Sequence, residues 1–529
     1  MIDISARNVP QEPAISVSTR LVQVGVIVHD KNGPVANLTK DDFVVLDRGK
    51  PQKVAFFSVE SSESAPQATQ PLPQNTFSDL PRYGGNKPRS LTILLLDNLN
   101  TLTGSAPLAN ESTPFWLEDH ALANAKQHLL EFLKQLDPND RLAIYGLTDT
   151  LHVLCDFTCD RAQLLAVVNR YDPASKTQRA MAEPGQYSFP DQPSPLFNNA
   201  ASAGEQQLAS LNNQARGEAT MAALTAIASH VVNIPGRKNL LWLTANLPFS
   251  GAAIARILAR ANIAAYPVDA RGLLPLTPAT TRDDLGVGEQ QAHDALGLTA
   301  RVEQSGQPTG IDAMQKMAED TGGRAFINTN DLTGAIRKAV EDSAVTYTLA
   351  FYIGSDSLDG NFHELKIQVK RDGLTIRYPR GYFAADDTLP TKDQNWRTVI
   401  TALQSPIESS LIPLQAKVDR VDQPLPNSLK VLCSIDIHNL RFAQTGDLRK
   451  GAVSVFVIQQ DVVGKVLGQW TRTYDLRLSE KQYVALLKSG MPFRQDVRPR
   501  AGVTTLRILV EDPATSDIGS LIIPLSQIK

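Results

Sequence analysis

The chain of 529 residues is too long for one hydrophobic core, because cores stop growing near about 250–300 residues, so two to four domains are expected. Its 42% hydrophobic and 20% charged content is that of an ordinary globular protein, and a net charge of −3 without a long basic run excludes the electrostatic footprint of a nucleic-acid binder. Leu91 to Leu96 is among the most apolar runs and falls far short of the roughly 20 residues that a membrane-spanning helix needs, so no transmembrane segment is expected.

From Ile15 to Val59 apolar and polar residues alternate, with Val22, Val24, Val26 and Val28 on one face, and Lys31-Asn32-Gly33-Pro34 and Asp47-Arg48-Gly49-Lys50 supply turns. Residues 1–60 therefore read as a small β unit. The Ser-, Pro- and Gln-rich stretch 61–88 reads as a linker. The rhythm changes over 89–344. Leu91 to Leu96, ending in Asp97, has the continuous apolar character of a strand buried on both faces of a parallel sheet. Leu122 to Leu136 recur at helical spacing, and Leu142 to Leu147 and His152 to Cys155 read as strands. Helices are expected over Asp160 to Arg170, Glu218 to Val232, Ala252 to Ala261, Ile311 to Asp320 and Asp331 to Asp342. They alternate with strands over Asn239 to Thr244, Ile263 to Val268 and Arg324 to Ile327. This alternation predicts an α/β fold with a doubly wound, mostly parallel sheet.

Two polar stretches, Pro173 to Gly204 and Arg271 to Gly310, read as surface excursions of that domain. Strand rhythm returns at 345–385, which is expected to complete a sandwich with the N-terminal β unit, since a few isolated strands are marginal alone. Residues 396–529, with Val- and Ile-rich runs at Val431 to Ile437, Val453 to Ile458 and Thr504 to Val510, read as a separate β-sandwich-like domain.

Several phrases carry a resemblance. Leu91-Thr-Ile-Leu-Leu-Leu-Asp97-Asn98-Leu99-Asn100-Thr101, Asn233-Ile-Pro-Gly-Arg-Lys238, Ala265-Tyr-Pro-Val-Asp269 and Thr321-Gly-Gly-Arg324 follow one another in order, flanked by Leu38 to Phe43 and Pro379 to Phe383. In these the chain resembles bacterial VWFA-related proteins, with a von Willebrand factor type A (vWA) domain, of the kind abundant in Acidobacteria. The resemblance covers about Val17 to Phe383. It implies a vWA-like fold and a role as an exported, non-enzymatic interaction or adhesion-like module whose partner is a protein or other macromolecule. Such proteins usually carry a secretion signal, so the start at Met1 is read as following its removal, with the mature chain secreted, periplasmic or on the cell envelope.

The resemblance also implies a metal-ion-dependent adhesion site at the carboxyl ends of the strands. Asp97 and Thr101 match its first motif and Thr220 is its second-loop threonine. Leu99 stands where a hydroxyl ligand belongs, and Ala245 where a carboxylate belongs. A hard cation held by one carboxylate and two hydroxyls lacks ligands. No cofactor is therefore expected, and Mg²⁺ binding is expected to be weak. A contact surface is expected on Asn98, Asn100, Asn246 and Asp269 at the same strand edge.

No Walker A, Gly-x-Gly-x-x-Gly, His-Glu-x-x-His or Gly-x-Ser-x-Gly motif is present, so common nucleotide and hydrolase chemistries lack a signature. The alternatives are an enzyme with its site in the strand-end loops, or a structural assembly subunit. Asp356, Asp359 and Asn361 read as a hairpin turn, and Pro235-Gly236-Arg237-Lys238 as an exposed helix-to-strand turn. Cys155 and Cys159 leave a disulfide or two thiols open, with thiols the favoured reading.

Overall fold

Apolar periodicity decides most elements of the computed structural model, which describes residues 20–61, 72–80, 91–101, 126–127, 129–136, 141–171, 195–234, 236–244, 247, 251–270, 310–327, 329, 331–342, 344–354, 359–384, 390–422 and 426–529. The N-terminal part supplies β1 (Arg20–Asp30), β2 (Phe43–Asp47), β3 (Phe56–Ser61) and β4 (Thr76–Ser78). The α/β part then runs β5 (Leu91–Asp97), α1 (Asn98–Thr101), β6 (Arg141–Leu147), β7 (Leu151–Cys155), α2 (Arg161–Arg170), α3 (Pro195–Val231), β8 (Lys238–Thr244), α4 (Gly251–Arg260), β9 (Ile263–Asp269), α5 (Gly310–Thr321) and α6 (Leu332–Glu341). β10 (Val345–Ile353), β11 (Phe362–Val369), β12 (Thr375–Arg377) and β13 (Gly381–Phe383) follow. The C-terminal part holds α7 (Lys392–Gln404), β14 (Leu414–Val421), β15 (Ser428–Ile435), β16 (Leu448–Gln460), β17 (Val466–Ser479), α8 (Glu480–Ser489), β18 (Met491–Val497), β19 (Thr505–Asp512) and β20 (Asp517–Pro524).

The central sheet has the order β9-β8-β5-β6-β7, parallel except for the antiparallel edge strand β7. Alternate residues of each strand feed two cores. Ile93, Leu95 and Trp242 pack with Leu224, Ile227 and Val231 of α3, Leu258 of α4 and Met317 of α5. Leu94, Leu96 and Leu243 pack with Leu129, Phe132, Leu164 and Ile336 on the other side. Helices thus cover both faces, the condition for strands that are apolar throughout.

Around this layer lie two pairs of sheets. In the order β12-β1-β10-β3, β1 pairs antiparallel with β10 from Arg20↔Ile353 to Val26↔Tyr347, and β2 pairs with β11 in a second sheet. Val24, Val26, Tyr347 and Leu349 of the first meet Val45, Leu365 and Ile367 of the second in one core. At the C-terminus β18-β15-β14-β4 and a sheet built on β16, β19 and β20 share another core, around Val431, Val455 and Ile508.

Four expectations need correction. The linker expected over 61–88 contains β4, which adds to the C-terminal sheet beside β14, because Phe77 buries against that core and Asp79 accepts the Leu414 N–H at 3.0 Å. Helix α3 begins at Pro195, inside the stretch read as an excursion; residues 200–216 are rich in Ala, Gln and Leu, and Pro suits a first helical position. The C-terminal region is not all β: capping boxes at Thr391/Gln394 and Ser479/Gln482 open α7 and α8, and α7 starts ahead of the boundary expected at 396. The strand expected over Arg324 to Ile327 is a single parallel bridge, Val268↔Phe326. Among the described residues no helix is long and apolar enough to cross a membrane.

The layers meet through buried polar groups. Arg237 and Lys238, read as exposed, are 5% and 1% accessible because the β1–β10 sheet covers the turn. Arg237 donates to the Gly322 carbonyl and, at 3.3 Å, to the Tyr266 hydroxyl, and Tyr266 donates at 3.0 Å to Asp342, which also pairs with Arg377 of β12. Lys238 donates to the Ile234 carbonyl at 2.8 Å; burial pushes its pKa down to about 7 against the pull of Glu60. Toward the C-terminal part, His230 of α3 meets the Glu408 carbonyl at 2.9 Å and Asp156 at 3.2 Å. Burial disfavours the His230 cation, but the hydrogen bond and charge of Asp156 outweigh it and hold its pKa above the ordinary value.

Cys155 and Cys159 form a disulfide, so the reading as two thiols is overturned: the turn in which Cys159 N–H bonds the Asp156 carbonyl at 3.1 Å brings their Cα atoms to 6.1 Å. Replacing both by Ser is expected to lower unfolding free energy by about 2 kcal/mol, the scale for so short a loop, as measured by urea denaturation.

Burial of Glu408 pushes its carboxyl up to about 7. Between its unfolded value near 4.5 and 7 the folded chain keeps a proton that the unfolded chain releases, so stability falls as pH rises across that window. Glu408→Gln is expected to remove about 2 kcal/mol of the stability difference between pH 5 and pH 7, read from paired urea titrations.

Candidate functional site

Parallel strands deliver their carboxyl ends and the following loops to one edge, and Asp97, at the end of the central strand β5, lies there. Its side chain is 1% accessible. Asn100 donates its backbone N–H to Oδ1 at 3.0 Å and its Nδ2 to Oδ2 at 2.8 Å. From β8, Trp242 Nε1 donates to Oδ2 at 2.9 Å, and the Thr244 hydroxyl bonds the same carboxylate. A carboxylate offers about four lone-pair sites, and four donors of the chain converge on this one. Burial raises the Asp97 pKa, and the donors from Asn100, Trp242 and Thr244 oppose that rise.

The two hydroxyls are committed as well. Thr101 donates to the Asp97 backbone carbonyl. Thr220, on α3, donates to the Arg216 carbonyl at 2.8 Å and accepts from Asn100 Nδ2 at 2.9 Å. One turn earlier, Arg216 sets its guanidinium 3.4 Å from Asn100 Oδ1, within electrostatic reach of Asp97. The positive charge that balances this carboxylate thus comes from the chain itself.

The structure brings Asp97, Asn100, Thr101 and Thr220 into one network. Leu99 packs into the core beneath, which accounts for its apolar side chain. Asn98 donates to the Tyr171 hydroxyl. Asp269 is the register partner of Thr244, two strands from Asp97. Asn246 and Ala245 lie outside the described residues. The expected contact surface needs correction: Asn98, Asn100 and Asp269 are 0%, 0% and 1% accessible, so they form the floor of the edge rather than its outer face. Asn98 is turned inward by Tyr171, and Asn100 by Asp97 and, 120 residues on, Thr220. Asp149 and Thr150, after β6, and Gln214 and Glu218, on α3, are exposed.

Trp242 and Arg216 escaped the sequence reading. A buried indole N–H must find an acceptor, which is a signal in principle, but the run Leu240 to Leu243 reads first as core. Asp359 of the expected hairpin turn is engaged by Arg48 at 2.9 Å and His363 at 3.0 Å, and Asp356 lies outside the described residues. Among the described residues no group of three or more His, Cys, Asp or Glu is arranged to hold a metal ion.

No family model matches the chain, and no curated protein matches it. Among solved structures, BatB from Bacteroides thetaiotaomicron is similar at 14% identity and a TM-score of 0.26, over 48% of this chain and 98% of that one. A von Willebrand factor type A protein from Catenulispora acidiphila is similar at 8% identity and a TM-score of 0.25, over 89% of this chain and 73% of that one. The pilus adhesin SpaC from Lactobacillus rhamnosus GG is similar at 8% identity and a TM-score of 0.20, over 94% and 58%. At such TM-scores none of these likenesses assigns a family.

Asn100→Ala keeps the backbone N–H donor but deprives a buried carboxylate of its Nδ2 contact and the network of its link to Thr220, and is expected to cost about 2 kcal/mol near neutral pH. Because the Asp97 pKa is already raised, protonation at lower pH relieves the uncompensated charge. The deficit relative to wild type is expected to shrink between pH 7.5 and pH 5 in paired urea titrations, and a deficit independent of pH would contradict this account.

Proposed function

We propose that the chain is an exported, non-enzymatic interaction module of the vWA kind, a doubly wound α/β domain carried between two β-sandwiches, which binds a macromolecular partner at the carboxyl-end edge of its central sheet without a shared metal ion. One observation carries this reading: Asp97, Thr101 and Thr220 converge at that edge, yet both oxygens of the Asp97 carboxylate already accept from donors of the chain. The arrangement is that of a degenerate metal-ion-dependent adhesion site with Asn100 and Arg216 standing in for the cation. A Mg²⁺ ion would have to displace these donors, and the Thr220 hydroxyl oxygen already accepts from Asn100 Nδ2. Export is supported by the Cys155–Cys159 disulfide, since such bonds persist chiefly in oxidising compartments.

Contact then falls to the rim above the buried floor, where Asp149 and Glu218 are exposed. A partner captured from cell-envelope extracts by the immobilised chain is expected to be retained in EDTA and lost with Asp149→Arg/Glu218→Arg. That variant should keep its melting temperature, since exposed substitutions usually move stability by under about 0.5 kcal/mol. Unchanged capture by the variant would remove this edge as the binding surface.

Millimolar Mg²⁺ is expected to leave the melting temperature unmoved, whereas a ligand at 100 times its Kd would add about 2.7 kcal/mol. A rise that Asp97→Ala abolishes would overturn the metal-free reading.

A further inference from the structure

The long β16–β17 hairpin ends in Asp461-Val462-Val463-Gly464-Lys465, and its two valines are 84% and 81% accessible, far above any other large apolar side chain described. Val466, which follows the turn, is 40% accessible. Single exposed apolar residues are ordinary, but adjacent β-branched residues at a hairpin tip are not placed there by the fold, which gains nothing from them.

The turn is closed on itself. Asp461 N–H bonds the Lys465 carbonyl at 3.1 Å, and Gly464 N–H bonds the Asp461 carbonyl at 3.1 Å. The Asp461 carboxylate accepts from Val463 N–H at 3.0 Å and Lys465 N–H at 2.9 Å. Gly464 has φ of +82° and open space where a Cβ would stand, so the turn needs glycine for its backbone rather than for packing. Three N–H groups of the turn, those of Val463, Gly464 and Lys465, are thus satisfied within it, which lowers the cost of entering a medium of low polarity, and the one carboxylate at the tip is spent on two of them.

Behind the tip stands a collar of cations. Lys465, Arg498 and Arg500 are exposed, and Gln459 holds the 498–500 loop against the hairpin through the Arg498 carbonyl at 3.2 Å and the Arg500 N–H at 2.8 Å. Arg500 also reaches the Leu467 carbonyl. The nearby Asp496 is paired with Arg494 at 3.3 Å. From 396 to 529 Lys and Arg outnumber Asp and Glu, although the whole chain carries −3.

We propose that this tip is a peripheral membrane-docking element, Val462 and Val463 entering the interfacial layer of an anionic lipid bilayer while Lys465, Arg498 and Arg500 meet its headgroups. A protein partner suits the feature less: a stable interface needs about 800 Å² on each side, which a convex five-residue turn does not offer, and valine is under-represented among binding hot spots. A bilayer deforms around a protrusion and rewards apolar insertion next to cations.

The test is co-sedimentation of the full chain with vesicles of phosphatidylcholine and phosphatidylglycerol in about a three-to-one ratio, at low ionic strength. Binding is expected to weaken at least about tenfold in Val462→Asp/Val463→Asp and to persist in Val462→Leu/Val463→Leu, because two buried apolar side chains are exchanged for charges in one case and conserved in the other. It is also expected to fall with added salt. No sedimentation of the wild type, equal sedimentation of wild type and aspartate variant, or equal binding to phosphatidylcholine alone overturns the proposal. Loss of a protein partner, with vesicle binding unchanged, would assign the tip to protein recognition instead. None of these outcomes bears on the carboxyl-end edge of the central sheet, which lies in a different part of the chain.

Discussion

The antiparallel pairing of β1 with β10 is the constraint on which the architecture depends. It joins Arg20 to Ile353 and Val26 to Tyr347, so everything between must leave the first β unit and return to it. β3 pairs with the other edge of β10, placing both N-terminal strands against one late strand. Before the central sheet begins, the chain has also contributed β4 to the C-terminal unit. The α/β layer is therefore inserted into one β unit and follows a strand of another. Closing loops this long costs entropy early and returns contacts late, which favours slow folding.

Within that frame the central sheet solves a local problem, the burial of Asp97. A carboxylate in an apolar setting is tolerated when its lone pairs are filled and a compensating charge stands near. Asn100 supplies two of the donors, Trp242 and Thr244 the others, and Arg216 the charge. The donors come from α1 and β8 and the charge from α3, so the network also fixes how α3 lies over the strand ends. The result is a closed polar knot at the strand ends.

The same economy governs the junctions. Asp342 gathers Tyr266 and Arg377 where the central sheet meets the N-terminal β unit, and Asp156 gathers Tyr145 and His230 near the C-terminal one. Buried ion pairs add little net stability over well-packed apolar contacts, yet breaking one leaves an uncompensated charge, so they hold layers in one arrangement. The close approach at Gly323, where a Cβ would stand 1.8 Å from the Ala265 carbonyl, serves the same end by letting the end of α5 lie directly on β9.

The sequence by itself determined the elements whose signal is local. Alternating valines in β1, the unbroken apolar run of β5 and the helical spacing of α4, α5 and α6 follow from which side chains must leave water, and Asp97 was legible as the polar end of a buried strand. The tertiary structure decided what depends on residues far apart in the chain. That Phe77 is an anchor of the C-terminal core, that Arg237 and Lys238 are covered, and that Asn98 and Asn100 face inward follow from partners more than seventy residues away in most cases, which no local pattern specifies. The fate of Asp97 is the clearest instance. Its spacing to Thr101 was readable, but whether its oxygens stay open to an ion or are filled by Trp242 and Thr244 is fixed only when β8 is laid beside β5.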